Sequence, residues 1–204
     1  MFIDFEGIDG SGKTTLSNLL AERLRRLGYR VAHAREGGEL RSPIARRIRE
    51  LTRDSKLLEM SPRTEFFLNL ARDAQQLEEV IAPALARGEV CISDRYLYSQ
   101  LALSGGGRGL PWESLEPTCE LASQGLWPDL VILVDVEPDL ARLRKRLGEP
   151  LALDGRVVVE VKHLGEELPE WLSALNPGRK PAYSKFAEGM ARVHDFDADG
   201  IVGG

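Results

Sequence analysis

Two hydrophobic periods alternate along the first 150 residues of the chain. Short apolar runs predict strands, and between them lie longer stretches in which apolar residues recur every three to four positions. The strands are expected at four places: Phe2–Glu6, Arg30–Ala34, Glu89–Ser93 and Leu130–Val136. The fourth run, LVILVDV, is apolar at consecutive positions, which is typical of a strand that helices cover on both faces.

The stretches between the strands predict helices with recognisable ends. Ser61 is expected to cap a helix with Pro62 at its first position, and Gly28 and Gly88 are expected to end the helices before them. Leucines of the first helix share one face, which predicts its buried side: Leu16, Leu19, Leu20, Leu24 and Leu27. The predicted helices are Lys13–Leu27, Pro43–Thr52, Pro62–Arg87, Leu97–Ser104, Trp112–Gln124 and Pro138–Leu147.

Repeated strand–helix units of this size predict an α/β fold, with a parallel sheet of about five strands and helices on both faces. Arg156–Val161 is the expected fifth strand. The length of 204 residues suits a single domain. The last third is less regular, with helices expected only at Glu166–Ala174 and Tyr183–His194. In such folds, ligands bind at the edge of the sheet where the strands end.

A glycine-rich loop connects the first predicted strand to the first predicted helix. Residues Gly7 to Thr14 read GIDGSGKT, which is the G-x-x-x-x-G-K-[ST] pattern of a phosphate-binding loop. Its glycines let backbone N–H groups wrap a triphosphate, and the start of the helix adds a positive end. Lys13 is expected to reach the terminal phosphates, and the Thr14 hydroxyl to bind Mg²⁺. This loop predicts that the chain binds ATP or a similar triphosphate.

Charged residues follow two other predicted strands and are expected at the same edge of the sheet. Asp94 and Arg95 follow the third strand, where a carboxylate can hold a metal ion and a guanidinium can clamp a phosphate. Arg35 follows the second strand and is a candidate clamp for an acceptor phosphate, or else an exposed loop arginine. Asp9 lies inside the phosphate loop and should point away from the triphosphate, toward a partner such as a sugar hydroxyl.

Composition narrows the classes of partner. A net charge of −5 argues against a nucleic-acid partner, and the arginine-rich stretch Arg46–Arg49 is interpreted as a solvated helix face. The two cysteines, Cys91 and Cys119, have neither a disulfide framework nor metal-site spacing. No apolar run approaches membrane-spanning length and no signal peptide is evident, so we expect a cytoplasmic protein without a membrane partner.

Four segments match, in order and spacing, the motifs of one enzyme family. They read FIDFEGIDGSGKTT at the start, RE-GG at Arg35–Gly38, DRYLYSQLALSGGGRGL from Asp94, and PDLVILVDVEPDLA from Pro128. Together they resemble the thymidylate kinase family of nucleoside monophosphate kinases. The resemblance implies a three-layer P-loop kinase fold and transfer of the γ-phosphoryl group of ATP to dTMP with Mg²⁺. It also implies a homodimer that packs through helices.

The resemblance assigns roles to the matching positions. ATP would be held by Gly7, Gly10, Ser11, Gly12, Lys13, Thr14 and Thr15. The acceptor would be held by Asp9, Arg35, Arg95 and Arg108. The metal would lie at Thr14 and Asp94, and the catalytic residues would be Lys13, Asp94 and Arg95.

The positions that read the base depart from the family's pattern. The family usually carries a Phe and, four residues later, an Arg on the helix that meets the base, and the aligned residues here are Asn69 and Asp73. Arg72 is the candidate replacement for acceptor binding, and Phe66 or Phe67 for stacking on the base. A pocket discriminates through polar groups that the wrong ligand leaves unpaired. A phosphotransferase is therefore better supported than its acceptor.

Two loops also depart from the family's pattern. The proline of the usual REPGG motif is absent after Arg35, so the loop that carries this arginine is expected to differ. The tyrosine and glutamine that usually precede the glycines are Leu103 and Ser104.

The family's lid, with its arginines, is not recognisable after the fourth strand. Four arginines could replace those of the lid or could be ordinary helix and loop charges, the second being the interpretation for Arg142: Arg142, Arg144, Arg146 and Arg156. Among them, Arg146 or Arg156 is the candidate for the charge that a lid would supply. The interpretation is a single domain with a family-like core at residues 1–150 and a divergent lid and C-terminal region at 151–204.

Three functions stay open at this point. The simplest is a thymidylate kinase, the second is a kinase for another nucleotide, nucleoside or small metabolite, and the third is a nucleotide-binding regulatory module with degraded catalysis. The intact Asp94, Arg95 and Arg108 favour the first two, whereas Asn69, Asp73 and the altered lid favour the last two.

Overall fold

The computed structural model describes residues 1–35, 40–57, 59–147 and 156–161. Its sheet has five strands in the order β2-β3-β1-β4-β5. They are β1 Phe2–Glu6, β2 Val31–His33, β3 Val90–Asp94, β4 Leu130–Asp135 and β5 Arg156–Val161. Strands β1 to β4 are parallel, and each agrees with its predicted position to within a residue or two. The predicted α/β class is confirmed.

The fifth strand lies where the sequence predicted it, but it runs antiparallel to β4. The helix before it, α7 at Pro138–Leu147, stays near the carboxyl edge of the sheet, because Ala141 packs on Gly10 of the phosphate loop. The chain therefore enters β5 from that edge, and Arg156 pairs with Asp135 at the end of β4. A parallel strand would have required a return to the opposite edge.

The other helices follow the predicted order. They are α1 Lys13–Arg26, α2 Pro43–Thr52, α3 Pro62–Gln76, α4 Ala82–Ala86, α5 Leu97–Leu101 and α6 Trp112–Ser123. A π-helical stretch at Leu77–Ile81 joins α3 to α4, and another at Ala102–Gly107 continues α5. Ser61 caps α3 as predicted, since its hydroxyl accepts a hydrogen bond from the Thr64 N–H at 3.2 Å. The helices expected at Glu166–Ala174 and Tyr183–His194 lie outside the described residues.

The core has two halves, one on each face of the sheet. One half packs α1 against Ile3, Phe5 and Ile132, and the other packs α3, α5 and α6 against Phe2 and Cys91. Cys91 and Cys119 are both buried and free, and burial raises the pKa of each thiol to about 12. Neither cysteine is therefore reactive at neutral pH.

The predicted leucine face of α1 is only partly correct. Leu24 is buried, but Leu19 and Leu27 are 54% and 51% exposed. The side of the helix that meets the sheet carries small residues, Ser17 and Ala21, in addition to Leu24. Small side chains let the helix approach the sheet closely, so the buried face is not the face with most leucines.

The phosphate loop, the end of β2 and the end of β3 all lie at the carboxyl edge of the sheet. Strand β1 is central, and its Phe5 pairs with Asp94 of β3, so the segments that follow these two strands are neighbours. The topology thus brings the predicted site residues together. None of the helices described here is both long and apolar enough to span a membrane.

Candidate active site

The phosphate loop has the backbone that its glycines predict. Gly7, Gly10 and Gly12 have φ angles of 142°, 83° and 101°, which other residues rarely adopt. A Cβ on Gly7 would lie 2.6 Å from the Val134 carbonyl oxygen, and one on Gly10 would collide with the Ala141 carbonyl. Gly12 precedes the first turn of α1 in a left-handed conformation. The loop is therefore held between the ends of β4 and α7, and only glycine fits there.

Lys13 lies inside the hollow of this loop. It is 6% exposed, and its Nζ donates a hydrogen bond to the Ile8 carbonyl at 2.8 Å. Burial, together with the nearby Arg95 guanidinium, lowers the pKa of Lys13 to about 7. The Lys13 ammonium has lost hydration, and the surrounding charges do not make up for this loss. An anion bound in the loop would stabilise the charged form of the lysine.

Thr14, in the first turn of α1, contacts Asp94, the last residue of β3. The Thr14 hydroxyl donates to Asp94 Oδ2 at 2.5 Å, and Asp94 is 3% exposed. The other carboxylate oxygen, Oδ1, is buried and accepts no hydrogen bond from the residues that the structure describes. Arg35 Nη1 lies 3.9 Å from Asp94 Oδ2 and donates to the Asp94 carbonyl at 3.4 Å. The Thr14 hydroxyl and the two oxygens of the Asp94 carboxylate are the kind of oxygen ligand that a hard cation prefers.

Arg95 bridges the phosphate loop and α5. Its Nη2 donates to Asp9 Oδ1 at 2.6 Å, and its Nη1 donates to the Ser99 hydroxyl at 2.9 Å. Burial alone would raise the pKa of Asp9, but the Arg95 and Lys13 charges outweigh it and hold this pKa well below its usual range. The Asp9 carboxylate is thus paired with Arg95 and lines the cavity beside the loop.

Glu6, at the end of β1, fixes the segment that carries Arg95. Its Oε1 accepts hydrogen bonds from the Tyr96 and Ser99 N–H groups at 3.2 and 2.9 Å, and its Oε2 accepts from the Ser99 hydroxyl at 2.6 Å. Arg95 has a φ of 74°, a strained value for an arginine. Glu6 thus stabilises a strained turn. Sequence reasoning missed it, although a glutamate ending a buried strand is itself a signal.

Beside Asp9 and Arg95 lies a cavity of about 440 Å³. Its described lining includes Asn69 and Arg72 of α3, Gln100 of α5, Leu103 and Arg108. Arg108 Nε donates to Glu65 at 2.9 Å. The expected stacking phenylalanine is not found, since no aromatic side chain occurs among the described lining residues. Instead, Phe66 is buried in the core and Phe67 is 58% exposed.

A smaller cleft of about 30 Å³ shares residues with this cavity and is rich in arginine. Its described lining includes Arg35, Arg49, Arg53, Arg72, Arg95 and Asp94. Burial, together with Arg35, lowers the pKa of Arg49 to about 10. The interpretation of Arg46–Arg49 as a solvated face agrees with the exposed Arg46 and Arg47 but not with the half-buried Arg49. Guanidinium groups gathered in this way suit a bound anion.

Arg144, one of the four arginines that could replace those of the lid, is a buried residue of α7 that contacts the phosphate loop. Arg144 is 7% exposed, and its Nη1 donates to the Ser11 carbonyl at 3.3 Å. Arg146, the candidate from the lid, is exposed, and the side chain of Arg156 lies outside what the structure describes. Thr15 is exposed on the first turn of α1, whereas Ser11 is fully buried.

The fold and this loop define the class: an α/β P-loop phosphotransferase, with the phosphate loop on one side and an arginine-lined cavity on the other. Comparison with known proteins identifies the family. The family profile described as thymidylate kinase matches residues 5–157. The chain belongs to the thymidylate kinase family.

Individual relatives agree with this assignment. The thymidylate kinase of Pelobacter propionicus is 44% identical over 148 residues, which cover 72% of this chain and 67% of that protein. The thymidylate kinase of Finegoldia magna is 43% identical over 145 residues, which cover 71% of this chain and 70% of that protein. A crystal structure of thymidylate kinase from Ehrlichia chaffeensis has a TM-score of 0.59 and 29% identity, and the match covers 72% and 83% of the two chains. The family resemblance drawn from the sequence is confirmed.

Proposed function

We propose that the chain transfers the γ-phosphoryl group of ATP to dTMP, which gives ADP and dTDP. The observation that supports this most directly is the convergence of three segments. Lys13 of the phosphate loop, Asp94 at the end of β3 and Arg95 before α5 come together beside a cavity of nucleoside size, which Arg95 lines. Their charges flank the line along which a phosphoryl group would move.

In this reaction, an oxygen of the acceptor phosphate forms a bond to the γ-phosphorus while the bond to the β,γ-bridging oxygen breaks. The acceptor oxygen is already ionised, so no proton has to be removed from it. The protein positions two anions and compensates their charge. Lys13 would hold the donor phosphates, and Arg35 and Arg95 the acceptor phosphate. Asp9 would orient Arg95 and meet the acceptor sugar.

Mg²⁺ fits the pair Thr14 and Asp94. Both residues offer oxygen, and the unpartnered Asp94 Oδ1 is the buried atom that a cation would satisfy. Within the described residues, no group of three or more His, Cys, Asp or Glu side chains could hold a metal ion. This agrees with a Mg²⁺ site of few protein ligands, where the triphosphate supplies the rest. The ion would neutralise charge on the β- and γ-phosphates.

The test is an assay of ADP release with Mg²⁺ and ATP against a panel of nucleoside monophosphates, nucleosides and small phosphorylated metabolites. We expect dTMP to give the highest kcat/KM. A higher value for another acceptor would replace dTMP by that acceptor. Measurable ATP binding with no acceptor-dependent release would leave only the regulatory module, against which the complete set Lys13, Asp94 and Arg95 argues.

Three features remain predictions that the family suggests: a single catalytic domain over residues 1–204, a homodimer and a cytoplasmic location. The homodimer would be tested by measuring the molecular mass of the protein in solution, by light scattering coupled to size-exclusion chromatography.

A further inference from the structure

Strand β1 carries two acidic side chains on the same face, Asp4 and Glu6, because residues two positions apart in a strand point to one side. The strand lies inside the sheet, between β3 and β4. Asp4 is 0% exposed and Glu6 is 3% exposed. Two adjacent carboxylates in such a place would repel each other without water to screen them, so a charge on both is strongly disfavoured.

Hydrogen-bond donors are divided unequally between these two carboxyl groups. Glu6 accepts three hydrogen bonds, from the N–H groups of Tyr96 and Ser99 and from the Ser99 hydroxyl. Asp4 Oδ1 accepts one, from the Ser93 hydroxyl at 2.6 Å. The other oxygen of Asp4, Oδ2, is buried and accepts none from the residues that the structure describes. Donors stabilise the charged form of a carboxyl group, so the negative charge of the pair belongs on Glu6.

A proton on Asp4 would give its buried Oδ2 a hydrogen-bond partner. The carboxyl groups of Asp4 and Glu6 lie within hydrogen-bond reach of each other. Two carboxylates cannot use this contact because each only accepts, whereas a protonated carboxyl group has one O–H to donate. With the proton on Oδ2, Asp4 can donate to Glu6 while its Oδ1 still accepts from Ser93. The pair then carries one negative charge and leaves no buried oxygen of Asp4 unused.

The surroundings of Asp4 also favour its neutral form. Besides Glu6, two titratable groups act on it: Asp94, whose side chain lies on the other face of β3, and Tyr96, before α5. Both are acids, and the β4 residue that pairs with Asp4 is the apolar Val131. Burial, followed by the Glu6 charge, raises the pKa of Asp4 well above its usual range, although the hydroxyl bond to Oδ1 opposes the shift.

We propose that Asp4 is a protonated positioning residue, whose O–H fixes the Glu6 carboxylate and, through Glu6, the turn that presents Arg95. Glu6 holds this turn, in which Arg95 has a φ of 74° and bridges Asp9 and Ser99. An ionised Asp4 would repel Glu6, and the strained turn would lose its support. The role of Arg95 in this proposal rests on the proposed function, whereas the proton on Asp4 does not.

The first test detects the proton by infrared spectroscopy of the free protein at neutral pH. A protonated carboxyl group has a carbonyl-stretching band that is separate from the bands of carboxylates and amides. Asp4→Asn replaces the O–H by an amide donor of nearly the same shape. The difference spectrum between the unmodified protein and this variant should contain the band. A difference spectrum without it would overturn the proposal.

The second test is the pH dependence of stability. The pKa of Asp4 is higher in the folded protein than in the unfolded chain, so the folded state keeps a proton that the unfolded state releases. The free energy of unfolding therefore falls as the pH rises, until Asp4 ionises in the folded state as well. Asp4→Asn lacks this contribution, so its stability relative to the unmodified protein should increase in denaturant titrations from about pH 5 to 8. A difference that does not vary with pH would contradict the proposal.

These two tests need neither ATP nor an acceptor, so their failure is distinct from failure of the proposed function. A band and a pH-dependent difference in a protein without kinase activity would support the proton on Asp4 and contradict the kinase. Efficient phosphoryl transfer without either signal would do the reverse.

The third test measures the positioning role. Asp4→Val has nearly the same volume but no donor, and we expect it to lower kcat/KM for the acceptor about tenfold because Arg95 is misplaced. The Kd for ATP should not change, since the phosphate loop is untouched. Asp4→Asn can donate to Glu6 and accept from Ser93, so it should recover most of the loss. Equal losses in both variants, or full activity in Asp4→Val, would overturn the positioning role.

The matched control for packing is Ile3→Val, which shortens a fully buried side chain on the other face of β1. It should lower the melting temperature but leave kcat/KM for the acceptor unchanged. If Ile3→Val lowered kcat/KM as much as Asp4→Val, any loss of packing in β1 would account for the effect, and the positioning role of Asp4 would be wrong.

Discussion

The donor and acceptor sides of the site are built in different ways. The donor side is one continuous segment, Gly7 to Thr14, whose backbone would do most of the binding. The acceptor side takes Arg49 from α2, Arg72 from α3 and Gln100 from α5, and depends on their side chains. A backbone cradle tolerates few changes, whereas a wall of side chains can exchange its contacts. Apart from the lid, the departures from the family's pattern accordingly fall on the acceptor side.

The largest effect should come from the donor side. Lys13→Ala is expected to lower kcat by about 10²- to 10³-fold, because it removes a preorganised charge from the transferring phosphates. The fold should persist, since the lysine is buried with a lowered pKa and its removal relieves an unfavourable burial. Steady-state kinetics and thermal melting check both points. Lys56→Ala, an exposed substitution in the turn after α2, is the control and should leave kcat unchanged.

Glycine substitutions test whether the donor side depends on backbone geometry. Gly10→Ala should lower the free energy of unfolding by more than about 2 kcal/mol and abolish ATP binding, because its Cβ collides with Ala141. Gly28→Ala has a similar φ of 89° but no atom within 4 Å of the added Cβ. It should lower the free energy of unfolding by only about 1 to 2 kcal/mol and leave ATP binding intact. If Gly10→Ala and Gly28→Ala lowered the free energy of unfolding equally in denaturant titrations, the contact of Gly10 with α7 would not affect stability.

A smaller effect is expected on the acceptor side. Arg49→Ala should raise the KM for the acceptor roughly tenfold with little change in the KM for ATP, since one charged contact to a phosphate is lost. The matched control is Arg47→Ala on the same helix, whose side chain is 85% exposed and pairs only with Glu50 among the described residues. If both variants behave alike, the arginine-lined cleft does not bind the acceptor phosphate.

The smallest effect is a proton taken up with ATP. Free Lys13 has a pKa of about 7, and a bound triphosphate should restore this pKa toward 10.5. At pH 8, binding should therefore take up nearly one proton, and at pH 6 almost none, so ATP affinity falls as the pH rises above 7. Calorimetry in two buffers of different ionisation enthalpy measures the uptake. The Lys13→Gln variant is the control, because any protons taken up by this variant come from ATP itself. Equal uptake in the variant and the unmodified protein would contradict the assignment of the proton to Lys13.

The pKa of Lys13 also affects folding stability. Its folded pKa is lower than the unfolded value, so the burial penalty is complete below pH 7 and disappears as the pH rises from 7 toward 10.5. The dependence has the opposite direction to that of ATP affinity. The free protein should therefore become more stable at the alkaline pH where it binds ATP less well.

The phosphate loop and the order of strands and helices were determined by the sequence alone. The loop needs glycines, a lysine and a threonine within one short segment, and strand and helix periods are local as well, so a contiguous pattern is sufficient. The convergence of Asp94 and Arg95 on the loop also followed from the sequence, since parallel strands end at one edge of the sheet.

Only the tertiary structure decided which side chains meet across elements. The partial burial of Arg49, the support of Arg95 by Glu6 and the link from Asp73 to Gln100 each depend on how helices pack beside the sheet. The direction of β5 depends on where α7 lies, and the exposure of Leu19 depends on how closely α1 approaches β1. These contacts join residues far apart in the chain, and periodicity carries no information about such distances.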